Sequence, residues 1–142
     1  MPNSIGFLVT EVGRLYRLAL DRKMARFGLA RSEWWVLAFL VYLEGSTQQE
    51  LADVADLGKS AIAKLLDKLE QRGLVRREAD PNDGRSKRVF LTDKIRSVVG
   101  QISQDVNELE QRSLEPFSSK ENAQLLALLT GLRAQLLSLP DA

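Results

Sequence analysis

Apolar residues recur at every third or fourth position over most of the chain, which is the spacing of amphipathic helices. The first such stretch begins at Ile5 and predicts a helix that ends near Phe27 and Gly28. A second helix is predicted from about Ser32 to Leu43. Because this second segment is apolar almost all round, we expect it to be buried on several sides.

The next thirty residues predict a helix-turn-helix. Thr47 followed by Glu50 has the pattern of a capping box and marks the start of a short helix. The sequence Asp56-Leu57-Gly58 then supplies a turn, Ser60 is the expected cap of the following helix, and Gly73 occupies the position of a C-terminal glycine. In this motif the second helix enters the major groove of DNA. Its outward face carries the candidate DNA-contacting residues Lys59, Ser60, Ala61, Lys64 and Lys68.

Two short runs rich in β-branched, aromatic and basic residues follow this helix and predict a hairpin. They flank residues 80–87, a cluster of turn-forming residues that predicts a long tip. Two further helices are separated by Pro116, and Ser118 with Glu121 forms a second capping box.

These elements predict a fold that is mainly α with a small β-hairpin wing. A winged helix-turn-helix at about 32–92 is flanked by terminal helices at about 4–27 and 93–138, in one domain spanning residues 1–142. Exposed apolar stripes as long as those of the terminal helices would be a liability in a monomer. We therefore expect a homodimer whose interface contains Ile5, Leu8, Val12, Leu125, Leu128, Leu132 and Leu136.

The composition excludes several classes of site. The chain contains no Cys and no His, so thiol chemistry, disulfides and zinc sites built from these residues are excluded, and we expect no cofactor and no metal. No Gly-rich phosphate loop and no nucleophile elbow is present, so we do not expect an enzyme. The longest apolar run, residues 34–43, is far shorter than the roughly 20 residues that cross a bilayer, and no signal-peptide pattern precedes it. The expected location is the cytoplasm.

Charge is distributed unevenly, although the net charge is only +1. Residues 58–92 contain nine Lys or Arg and five Asp or Glu, a net charge of +4, whereas residues 1–57 carry −1 and residues 93–142 carry −2. The basic third coincides with the second helix of the motif and the hairpin. This distribution favours a polyanionic partner such as double-stranded DNA.

Four sequence blocks resemble the MarR family of transcriptional regulators, the multiple-antibiotic-resistance type. They are EWWVL at 33–37, QELA at 49–52, LLDKLEQRGLVRR at 65–77, and DPNDGRSK at 80–87 with Leu91 and Thr92 after it. The last two blocks together are the specific ones. The resemblance implies a homodimeric repressor, more rarely an activator, that binds a pseudo-palindromic duplex.

The resemblance also implies roles for residues of the wing. Family members have an Asp and an Arg two residues apart in the wing, matching Asp83 and Arg85. The Arg is expected to enter the minor groove and the Asp to steady it, with Lys87 and Arg88 as further DNA contacts. Gly84 stands where many family wings have Arg, which indicates a more flexible tip with one fewer phosphate contact.

A small-molecule effector, a phenolic or lipophilic anion, is a further expectation from the resemblance. Adjacent helical residues point about 100° apart, so of Trp34 and Trp35 we expect one in the core and the other at an effector site. Arg14 or Arg17 would supply the counter-charge.

Simpler alternatives exist for these residues. An ordinary solvated turn would explain the wing cations and Asp83, and pairing with Asp67 and Glu70 would explain Lys64 and Lys68. At the level of function, the alternative is a winged-helix protein-interaction module that uses its basic face for an acidic partner.

Overall fold

The computed structural model describes residues 2–140. Its elements are, in order, α1 Ile5–Ala25, α2 Arg31–Tyr42, α3 Gln48–Ala55, α4 Lys59–Gln71, β1 Val75–Asp80, β2 Asp83–Leu91, α5 Asp93–Leu114 and α6 Ser119–Ser138. The predicted fold class, mainly α with a hairpin wing, is confirmed. The chain divides into two compact units between Val106 and Asn107, and the expectation of one domain stays a prediction.

The core of the first unit is aliphatic and joins the helix-turn-helix to the hairpin. Leu40, Leu51, Leu66, Leu69 and Val89 have no accessible surface, and they come from α2, α3, α4 and β2. Burying a side chain of this size contributes about 2 kcal/mol relative to leaving it exposed. Helix α4 packs against α2, α3 and β1, which together set its orientation.

The helix-turn-helix forms where local signals predict it. Thr47 caps α3 by accepting a hydrogen bond from the N–H of Glu50 at 3.2 Å. Asp56 ends α3 in the left-handed region with φ 53°, and Gly73 follows α4 with φ 72°. The prediction that Ser60 caps α4 is wrong. The N-cap is Gly58, which provides no side-chain cap, so Ser60 already lies in the first turn.

The wing is a two-stranded antiparallel hairpin with a shorter tip than the sequence predicts. Val75 faces Leu91 and Ala79 faces Lys87, and a break in register after Ala79 lets Asp80 face Asp83. Only residues 81 and 82 remain between the strands, not the predicted eight. The turn is this tight because the Asp80 carboxylate accepts the N–H of Asn82 at 3.0 Å, which closes the chain on itself.

Strand β2 also pairs on its other edge, with the segment that precedes α3. The N–H of Gly45 donates to the carbonyl of Val89, and the N–H of Val89 donates to the carbonyl of Ser46, both at 2.9 Å. The wing is thus joined by backbone hydrogen bonds to the start of the helix-turn-helix.

The second unit contains the end of α5 and all of α6. Ser118 and Glu121 exchange hydrogen bonds at the start of α6, which confirms the second capping box. No residue of α6 is buried, although the helix is rich in leucine. Within residues 2–140, no helix is both long enough and apolar enough to cross a membrane.

Candidate nucleic-acid interface

Helix α4 has one buried face and one exposed face. Ile62, Leu66 and Leu69 point into the core. The five predicted DNA-contacting residues of the helix are all exposed: Lys59, Ser60, Ala61, Lys64 and Lys68. The face that the sequence assigns to DNA is therefore free of contacts with the core.

The two carboxylates of α4 are paired with Arg77, which lies on β1. An Nη2 nitrogen of Arg77 lies 2.5 Å from a carboxylate oxygen of Asp67 and 3.1 Å from one of Glu70. The hydrogen bond from Arg77 holds the pKa of Glu70 below its usual value. Because Arg77 pairs with both carboxylates, Asp67 and Glu70 do not need Lys64 and Lys68 as ion-pair partners.

Sequence reasoning missed Arg77, although a signal for it was available. Alternate residues of a strand share a face, so Arg77 lies on the same face of β1 as the buried Val75. Its side chain is only 14% exposed, whereas that of the neighbouring Arg76 is 51% exposed. Of the two adjacent arginines, the alternation singles out Arg77 as the one directed towards α4.

At the wing tip, Asp83 is hydrogen-bonded to the backbone of Arg85 and not to its side chain. Asp83 accepts a hydrogen bond from the N–H of Arg85 at 3.0 Å, and the Ser86 hydroxyl lies 3.4 Å from its other carboxylate oxygen. The side chains of Arg85 and Lys87 are exposed. Asp83 thus fixes the backbone of Arg85 and leaves its guanidinium accessible.

Arg88 differs from the other wing cations because it is half-buried and engaged. Its Nη1 donates to the carbonyl of Gly45 at 2.9 Å, and its Nη2 lies 3.3 Å from Asp80. The N–H of Asn82 and, less strongly, the charge of Arg88 hold the pKa of Asp80 below its usual value. In this structure Arg88 links Asp80, at the end of β1, to Gly45, and a contact with DNA stays a prediction.

The predicted effector residues lie on α1 and α2. Trp34 is buried and donates from Nε1 to Asp21 at 2.9 Å, whereas Trp35 is half-exposed and donates to the carbonyl of Val54 at 3.2 Å. The two rings meet edge to face with centroids 5.6 Å apart. Arg14 is paired with Glu11, while the charge of Arg17 contributes to the lowered pKa of Asp21. One tryptophan is in the core, as predicted, and it is Trp34.

The predicted dimer residues form exposed apolar surfaces. On α1 these are Ile5, Leu8 and Val12, which are 72%, 49% and 59% exposed. On α6, Leu125, Leu128 and Leu136 are exposed and Leu132 is half-buried. In the part of the chain that the structure describes, no group of acidic residues could hold a metal ion.

Comparison with known proteins identifies the winged helix. Residues 27–86 match the sequence model of the MarR family. The fold matches a MarR transcriptional regulator from Methanosarcina mazei Go1 with a TM-score of 0.85, at 24% identity over 94% of this chain and 96% of that one. Residues 27–86 thus resemble the winged helix of the MarR family. The resemblance drawn from the sequence is therefore confirmed.

Other solved structures match over nearly the whole chain. Wild-type MarR from E. coli, in its apo form, is 26% identical over 91% of this chain and 96% of its own, with a TM-score of 0.79. MepR of S. aureus, in a complex with DNA, is 25% identical over 93% of this chain and 98% of its own, with a TM-score of 0.78. The chain thus has the fold of MarR-family transcriptional regulators, and one protein with this fold has been captured on DNA.

Proposed function

We propose that this chain is a homodimeric, sequence-specific DNA-binding regulator that represses transcription and is released from DNA by a small anionic effector. The observation that carries the proposal is the free basic face of α4. Lys64 and Lys68 are exposed there, while both carboxylates of the same helix are paired with Arg77. A helix that offers cations and small side chains suits the major groove of DNA.

The wing supplies the second contact in this proposal. Arg85 is exposed at a tip held by Asp83, and a cation in this position fits the strongly negative minor groove. The structure of MepR bound to DNA supports the proposal, because that protein shares this fold.

Dimerisation follows from the exposed leucines. A helix with the composition of α6 and no buried residue needs another surface to cover it. We propose that a second copy of the chain covers Leu125, Leu128, Leu132 and Leu136 of α6 together with Ile5, Leu8 and Val12 of α1. Two copies would place two α4 helices about 34 Å apart, one turn of the double helix.

The effector site is proposed around Trp35 and Arg17. Trp35 is 46% exposed and offers an aromatic surface, whereas Trp34 is covered. Arg17 is the counter-charge that we assign, because Arg14 is hydrogen-bonded to Glu11 whereas Arg17 acts on Asp21 only through its charge. An anion bound there would favour one of two dimer geometries and so change the spacing of the α4 helices.

The test is a selection of duplexes from random-sequence DNA with the purified protein at about 150 mM salt. We expect an inverted repeat whose half-sites lie about one helical turn apart. Affinity for that duplex should fall by about a thousandfold or more when salt rises from about 50 to about 200 mM.

Matched variants locate the contact. Lys64→Ala combined with Lys68→Ala should weaken binding to the selected duplex, whereas Lys120→Ala on α6 should not. If folded protein enriches no duplex, the proposal is rejected in favour of a protein-interaction module with an acidic partner.

A further inference from the structure

We infer that Arg77 masks the acidic residues of α4, and that this masking is what allows the helix to approach DNA. The inference rests on the proposed function and adds a residue to it that does not itself touch the duplex. Arg77 is a positioning residue, because it acts through Asp67 and Glu70.

The contacts of Arg77 reach three elements. Beyond its pairs with Asp67 and Glu70 on α4, its Nη1 donates to the side-chain oxygen of Gln48, the first residue of α3, at 3.2 Å. Its backbone N–H donates to Glu70 at 3.1 Å, so β1 is fastened to α4 twice. Its Nε is buried without a hydrogen-bond partner among the described residues. The polar contacts of the guanidinium are thus made by its two terminal nitrogens.

The position of the carboxylates explains why they need a partner. The side chains of Asp67 and Glu70 are 56% and 41% exposed, while the Arg77 side chain lies mostly covered. Asp67 lies three residues after Lys64 on α4, a spacing that places both on the same side of the helix, and both are exposed. A DNA phosphate that approaches the lysines therefore also approaches these carboxylates, and like charges that are brought together oppose binding.

A second cation acts on one of these carboxylates. The charge of Lys87, on β2, also lowers the pKa of Glu70, after the larger effects of Arg77. Lys87 is an exposed surface residue, whereas Arg77 lies mostly covered. A surface lysine can turn towards phosphate when DNA arrives, but a covered arginine held by Gln48 and Glu70 stays in place. We therefore assign the permanent masking to Arg77.

The experiment compares four variants with the parent protein on the selected duplex. Arg77→Gln should weaken binding by about tenfold or more, because two carboxylates then face the phosphates unpaired. Arg77→Gln combined with Asp67→Asn and Glu70→Gln should bind within about threefold of the parent, because no charge is left to mask. Asp67→Asn with Glu70→Gln alone, and Arg76→Gln on the opposite face of β1, should each leave affinity unchanged or slightly increased.

The triple variant distinguishes charge masking by Arg77 from a purely structural role of Arg77. If the triple variant binds as weakly as Arg77→Gln, the loss comes from displaced structure and the inference is overturned. It is also overturned if Arg77→Gln binds like Arg76→Gln.

A measurement without DNA tests the pairing itself. In the free protein, the Glu70 carboxyl followed by NMR should titrate at a higher pH in Arg77→Gln than in the parent or in Arg76→Gln. An unshifted titration rejects the pairing, and with it the masking, but leaves the proposed function standing. Failure of the parent to enrich any duplex rejects the proposed function, and with it the consequence of masking for DNA binding.

Discussion

The Nη1 nitrogen of Arg72 lies 2.8 Å from a carboxylate oxygen of Glu33, and the Glu33 residue is 2% exposed. Arg72 is the C-cap of α4, and its Nη2 also donates to the carbonyl of Gly28 at 2.9 Å. The other oxygen of Glu33 accepts the N–H of Ala30 at 3.0 Å. Arg72 thus ties the end of α4 to the first turn of α2 through Glu33 and to the segment between α1 and α2 through Gly28.

Arg72→Met should lower the free energy of unfolding by about 3 kcal/mol, because it leaves the Glu33 carboxylate buried without a counter-charge. Urea unfolding at constant protein concentration measures this as a lower midpoint with an unchanged slope. The control is Arg22→Met, since Arg22 is exposed on α1. Glu33→Gln combined with Arg72→Met should recover part of the loss. Equal midpoints for Arg72→Met and Arg22→Met would contradict the role of the pair.

The wing cations Arg85 and Arg88 should respond differently to substitution. Arg85→Ala should reduce the binding free energy for the selected duplex by about 2 kcal/mol and leave the urea midpoint unchanged, because its side chain is exposed. Arg88→Ala should lower the urea midpoint, because it breaks the contacts with Gly45 and Asp80. The affinity for the duplex and the urea midpoint are measured for both variants. A normal affinity for Arg85→Ala would remove the wing from the interface.

Leu128→Glu combined with Leu132→Glu should produce monomers, because two charges would enter the apolar surface that we assign to the dimer. Sedimentation velocity measures the change, and circular dichroism checks that the helices persist. Binding to the inverted repeat should weaken strongly, because the two half-sites would no longer be bound by one linked unit. A dimer that survives this double substitution would place the interface elsewhere.

Stability should depend on pH in the acid range. Hydrogen bonds from Arg31, Arg96 and Arg77 lower the pKa of Asp21, Glu44 and Glu70, respectively, from ordinary values of 3.8 for Asp and 4.5 for Glu. A lowered carboxyl pKa stabilises the fold above the ordinary value, and this contribution is lost as pH falls through that value towards the lowered one.

The chain has no His, whose side chain is the one that ordinarily titrates near neutral pH. The urea midpoint should therefore be constant between about pH 6 and 8 and fall below about pH 4.5. A change in the midpoint across the neutral range would show that another group titrates on unfolding.

The parts of the fold that sequence predicts well are those specified by neighbouring residues. Thr47 with Glu50, and Gly73 after a leucine-rich helix, specify helix ends within a few positions, and both ends form where predicted. The start of α4 is harder to predict, because Gly58 and Ser60 are both acceptable N-cap residues. Only the backbone conformation before α4 decides between them. The length of the wing tip is predicted wrongly for a related reason. Turn-forming residues can also pair within the hairpin when the register of the two strands shifts, as it does after Ala79.

The contacts between distant residues could not be predicted from local signals. Arg77 lies 10 residues from Asp67 and Arg72 lies 39 from Glu33, and nothing in the sequence alone states which carboxylate each arginine meets. Similarly, the expectation that one of two adjacent tryptophans is buried follows from helix geometry, but the identity of Trp34 depends on the presence of Asp21 on α1.

The backbone pairing of β2 with Gly45 and Ser46 has a mechanical consequence for the wing. Thr47, the next residue, both bridges to Arg88 and caps α3. The strand and the first turn of α3 are therefore linked through a single residue. In the proposed complex with DNA, we expect β2 and α3 to move together, so that a duplex whose groove has the wrong width binds more weakly.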